Sequence, residues 1–141
     1  MFNASDFFKV GIAESGNHDN RVYEDDWGER YQGLMVTASD SAGYAQQANQ
    51  THAADLKGKL FLIHGMMDDN VPPYNTQLVV DALMKAGKDF DQIMLPGARH
   101  GYGKDAAYIM RRRWDYFVQN LRGDIPPKEY QIGKPRPAPV P

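Results

Sequence analysis

Residues 61–73, FLIHGMMDDNVPP, place a histidine and two adjacent aspartates directly after an apolar run. Residues 98–103, ARHGYG, set a second histidine just ahead of two glycines. A carboxylate and an imidazole on loops that follow neighbouring strands can meet. The carboxylate then accepts the proton on one ring nitrogen, fixes the tautomer, and leaves the other nitrogen free as a base. Asp68 or Asp69, with His100, are the candidates for that pair. Each residue also has a plainer role. An aspartate after a strand often caps a helix, a loop histidine often lies on the surface, and His64 reads as a satisfied, half-buried histidine.

The elements around these residues must bring them to one edge. Residues 59–65, KLFLIHG, are apolar on consecutive positions, which predicts a strand covered on both faces. Pro72-Pro73 suit a helix start. Leu78, Val79, Ala82, Leu83 and Ala86 form one apolar stripe that Gly87 ends. Residues 90–97 predict a third strand, stopped by Pro96-Gly97. A last helix follows, with Ala107, Met110, Trp114, Phe117, Val118 and Leu121 spaced to face inward.

Upstream, residues 7–13 predict a buried strand feeding a loop. Residues 17–31 have no clean period and predict a surface loop. Residues 35–55 carry a weak helical pattern. Strand, helix, strand, helix with short connections predicts an α/β fold with about three parallel strands and flanking helices. Functional groups of such sheets collect at the carboxyl ends of the strands. That edge receives Glu14 and Ser15, then Asp68 and Asp69, then Arg99 and His100.

The chain has 141 residues, enough for one domain with a real core. Sixteen basic against eighteen acidic residues argue against nucleic acid as a partner. The run Arg111-Arg112-Arg113 reads as a solvated helix face. With no cysteine, disulfides and thiolate catalysis are excluded. No apolar run approaches the length of a membrane span, and the N-terminus lacks a signal-peptide pattern. No cofactor or metal is called for. The division expected is a partial catalytic domain over 1–123 and an extended tail over 124–141, which holds six of the nine prolines.

As a whole, HGMMDDNVPP followed by ARHGYG and an amphipathic helix resembles the C-terminal end of an α/β-hydrolase of the prolyl oligopeptidase family, in the dipeptidyl peptidase IV branch. FFKVGIAESG resembles that branch's strand after the nucleophile, and YEDDWGERYQGL its Tyr-rich segment ending Glu-Arg-Tyr-x-Gly. The similarity covers roughly residues 6 to 122. It implies a serine peptidase that hydrolyses peptide bonds by acyl transfer, with Asp68 and His100 in the triad. It also implies that Asn70 binds a substrate backbone carbonyl, and that Val71, Tyr23 and Trp27 wall the pocket for the residue preceding the cleaved bond. Trp27 stands where the branch commonly has tyrosine, and Asn17 and Asn20 where it can have larger groups. These departures bear on the pocket's size and its preference for proline.

The Gly-x-Ser-x-Gly elbow that carries the nucleophile in such enzymes does not occur here. SDSAG (39–43) has Ser39 in place of the first glycine, and AESGN around Ser15 lacks both glycines in register. The expectation is a C-terminal piece of a peptidase domain, with MFNASD as the end of the helix after the nucleophile. Such a piece is inactive alone and self-associates through the sheet edge where the nucleophile strand would pair. Rival readings are a receiver-like domain holding Mg²⁺ at Asp68-Asp69, a divalent site from His64, Asp68, Asp69 and His100, and a non-catalytic interaction module of hydrolase-like fold.

Overall fold

The computed structural model of the chain describes residues 1–133. Three parallel strands form one sheet in sequential order: β1 (Val10–Glu14), β2 (Lys59–Gly65) and β3 (Asp91–Leu95). β2 is central, registering Ile12 with Phe61 on one side and Ile93 with Ile63 on the other. Its side chains alternate between two cores. Phe61 and Ile63 pack with Ile109 and Tyr116, and Leu60 and Leu62 pack with Val79, Leu83, Ala53 and Leu56. That two-sided cover is why β2 is apolar without a gap from Leu60 to Ile63.

Helix α3 (Tyr74–Lys85) and the 3-10 turns of Asn49–Asp55 cover one face. Helix α4 (Ala106–Phe117) covers the other and continues as a π turn over Val118–Arg122. Between β1 and β2 lie α1 (Asp25–Gln32) and α2 (Ala38–Gln47). A reciprocal pair of hydrogen bonds between Thr37 and Asp40 caps α2 at its N-terminus. The α/β architecture with three parallel strands and flanking helices matches the sequence reading.

Several details differ from it. Residues 17–31 contain α1, where a loop was expected. The helix buries only Gly28, so its sequence shows no apolar stripe. β1 starts at Val10 instead of Phe7. Phe7 and Phe8 lie in a turn bonded to Ala4 O, and Phe7 is 78% exposed. The strand itself is only half-buried, because among the described residues it has a neighbour on one side alone.

The inward face of α4 is also different. Ile109 and Tyr116 are buried, whereas Met110, Trp114, Phe117 and Leu121 are exposed. The arginine triplet is half-buried instead of solvated. Arg113 reaches Glu14 at 3.1 Å, and Arg111 lies 3.7 Å from Asp115. Tyr102, in left-handed backbone with its hydroxyl 3.4 Å from Ile63 O, fixes the approach to the helix. The face of α4 that meets the sheet core is that of Ile109 and Tyr116. At the N-terminus, residues 2–4 make a short 3-10 turn. Residues 124–133 form neither helix nor strand, and the rest of the expected tail lies outside the described residues.

Candidate active site

The carboxyl ends of β2 and β3 carry the two segments of interest. After Gly65 the chain makes a tight turn, Asp68 N bonding Gly65 O at 3.2 Å. Met66 and Met67 bond back to Leu95 O and Ala98 O, which stitches the 66–71 turn to the 96–99 turn. Gly65 is required for that contact. A Cβ there would come within 2.4 Å of Ala98 O and 2.5 Å of Arg99 O. Of the two glycines after His100, only Gly103 needs its conformational freedom, at φ 47°.

Asp68 and His100 meet. His100 Nδ1 lies 3.0 Å from Asp68 Oδ2 and 3.3 Å from Oδ1. The acid's side chain is fully buried while the ring is 45% exposed, so one partner is held and the other is accessible. Asp68 Oδ1 also accepts the backbone N–H groups of Asn70 and Val71, each at 3.0 Å. Burial works against the charge. The Val71 N–H, the His100 ring and the Asn70 N–H outweigh it and hold the carboxyl below its ordinary 3.8. Asp68 is therefore ionised at neutral pH and accepts from Nδ1 of His100, so that in the neutral ring the lone pair is on Nε2. Beside this pair runs a second one. Arg99 bonds Asp69 across the same two turns, with both side chains more than 60% exposed. Exposed pairs contribute little to stability.

The four residues assigned to the substrate side lie on two segments that touch. Tyr23 donates its hydroxyl to Asn70 Oδ1 at 3.0 Å, which leaves the Asn70 NH₂ group as the free donor. Val71 is buried. Trp27 is half-exposed on α1, with its ring centroid 6.3 Å from Tyr23 and 4.9 Å from Tyr31. Asn17 and Asn20 bond each other, and Asn20 goes on to Gln32. Ser15 donates its hydroxyl to Tyr102 OH and His100 O. Among the described residues, no group of three or more His, Cys, Asp or Glu side chains is arranged to hold a metal ion.

Sequence reasoning missed the polar supports beneath this rim. Asn75 and Thr76, in the first turn of α3, are 0% and 1% exposed. Asn75 Oδ1 accepts the backbone N–H groups of His18 and Asp19, tying the segment that leads to Tyr23 onto α3. Asp19 is buried against Arg21 and Gln50. A signal for Asn75 and Thr76 existed. The apolar stripe through Val79 and Leu83, carried back one turn, lands on these two polar residues. His64 is fully buried, where a half-buried residue was expected.

A parallel sheet with helices on both faces and an acid–imidazole pair at its carboxyl rim defines a portion of an α/β-hydrolase. The comparisons narrow this. Residues 1–124 match the model of the prolyl oligopeptidase family, and the chain belongs to that family. It is 30% identical over 105 residues to dipeptidyl peptidase 4 of Bos taurus, covering 74% of this chain and 14% of that protein. It is 35% identical over 94 residues to venom dipeptidyl peptidase 4 of Vespa velutina, covering 66% and 12%. The crystal structure of Porphyromonas gingivalis dipeptidyl peptidase 4 superposes with a TM-score of 0.67 at 31% identity, covering 76% of this chain and 15% of that one. The chain thus spans about one seventh of the length of these relatives. These relatives are dipeptidyl peptidases. Among the described residues no helix is long and apolar enough to cross a membrane.

Proposed function

We propose that this chain carries the acid and the base of a Ser-His-Asp triad for hydrolysing peptide bonds, with Asp68 orienting His100. The observation that carries the reading is the 3.0 Å contact between His100 Nδ1 and the buried Asp68 carboxylate at the rim of the sheet. Held through Nδ1, the ring presents Nε2 to take the proton of a serine hydroxyl as it attacks the peptide carbonyl. The ring then returns that proton to the leaving amine, and water completes the cycle by releasing the acid. Asn70, its carbonyl oxygen engaged by Tyr23, offers its NH₂ to a substrate carbonyl. Val71, Tyr23 and Trp27 wall the neighbouring pocket.

These 141 residues contain no nucleophile elbow, so the chain by itself has no peptidase activity. A fluorophosphonate probe leaves it unlabelled, and stoichiometric labelling of a serine would overturn the proposal. Among the described residues β1 has one unpaired edge, which supports a second element of the reading, self-association through added strand pairing. Sedimentation at rising concentration is expected to show a dimer. A monomer throughout would refute that part alone.

A further inference from the structure

His64 occupies a position that the pattern of β2 reserves for an apolar side chain. It follows Leu60 and Leu62 on the face that packs against α3, and it is 0% exposed. A polar ring there costs stability unless both nitrogens find partners. Both do. Nδ1 lies 2.7 Å from Thr76 Oγ1, and Nε2 lies 3.0 Å from Val71 O. A carbonyl only accepts, so Nε2 bears the proton, Nδ1 is the acceptor, and the Thr76 hydroxyl is the donor.

The destinations of that Nε2–H matter more than its being satisfied. Val71 O is the far end of the turn that carries Asp68, and Asp68 Oδ2 itself lies 3.2 Å from the same nitrogen. The Val71 residue is thereby held at both ends, its N–H on Asp68 Oδ1 and its carbonyl on His64. Oδ2, the oxygen nearer His100, has the positive end of a neutral N–H dipole behind it where the Val71 carbonyl alone would repel it. From these contacts we infer that His64, oriented by Thr76, is a positioning residue that holds the Asp68 carboxylate in the orientation that meets His100. It touches no substrate and acts only through Asp68. The inference rests on the triad reading above and deepens it.

The test uses the full chain labelled with ¹⁵N at histidine, with tautomers read from long-range ¹H–¹⁵N correlations at pH 8. His64 is expected as the Nε2–H form, and an Nδ1–H form would overturn the inference without any variant. His100 in the unaltered chain is expected as the Nδ1–H form. If it is not, the triad reading itself fails. Given that form, His64→Leu is expected to cost His100 its Nδ1–H majority. His64→Gln, whose amide NH₂ reaches the place of Nε2–H, is expected to retain it. If His64→Leu does not fold, Thr76→Val and Thr76→Ser decide in its place, the first shifting the His100 tautomer and the second not. A His100 tautomer unchanged in a folded His64→Leu or Thr76→Val chain sinks the role of His64 and leaves the Asp68–His100 pair standing.

Discussion

The carboxyl rim of the sheet and the outer face of α4 are opposites. At the rim the polar groups are closely paired. Asp68 accepts from two backbone amides and one imidazole, His64 has a partner on each nitrogen, and Gly65 lets two turns approach at backbone distance. Along α4, Met110, Trp114, Phe117 and Leu121 stand exposed at helical spacing, with Trp114 at 52%. A patch of that kind is the mark of an interaction surface. The rim thus holds its carboxylate, its imidazole and their polar supports within this chain, while among the described residues the helix face is apolar and uncovered. Paired polar geometry and apolar surface are separate properties, carried by different stretches of the chain.

The largest effect that sharpens this contrast belongs to the core that joins the two regions. Phe61 is 1% exposed, and its ring lies 4.9 Å from that of Tyr116. Phe61→Ala is expected to cost about 3–5 kcal/mol in urea unfolding. Trp114→Ser, equally drastic in composition, is expected to stay within about 0.5 kcal/mol. A large loss at Trp114 would show that the stripe is buried in solution, and the contrast would be void.

The next effect is a pH dependence built into the support beneath the rim. His18 is buried with Nδ1 accepting from Asn49 Nδ2 at 2.8 Å, and Nε2 has no partner among the described residues. Burial, assisted by the nearby His64, pushes its pKa from 6.5 down to about 4. The unfolded chain therefore takes up a proton below pH 6.5 that the folded chain refuses until about pH 4. Stability is expected to fall by about 3 kcal/mol across that window. His18→Gln is expected to flatten the slope. A wild-type stability that is level from pH 6.5 to 4 would contradict the burial of a neutral ring. Asp68 works in a lower range. Its depressed pKa contributes stability that is fully present above 3.8 and is lost as pH falls through the folded value.

What could be read from the sequence follows the strength of local signals. β2, α3 and β3 were legible because an apolar run or a stripe marks each one and Pro or Gly bounds it. Asp68 and His100 were legible because their types and loop positions suit one reaction. α1 was not, since a helix that buries only a glycine leaves no period. The azimuth of α4 was misread for a different reason. Its strongest apolar stripe is not the face it buries, and the pairing of Arg113 with Glu14 is a tertiary fact that no spacing announces. Gly65 hid in the same way, because its need is set by Ala98 and Arg99, more than thirty positions away.

The smallest expected effect bears most directly on the central claim, that Asp68 and His100 act as a pair. In a double-mutant cycle, Asp68→Ala, His100→Ala and the combined variant are unfolded in urea at pH 7. A buried carboxylate bonded to a half-exposed ring predicts a coupling of about 1 kcal/mol or more. Single losses that add to the double loss within about 0.3 kcal/mol would mean that the two side chains do not meet in solution, and the catalytic pairing would be refuted.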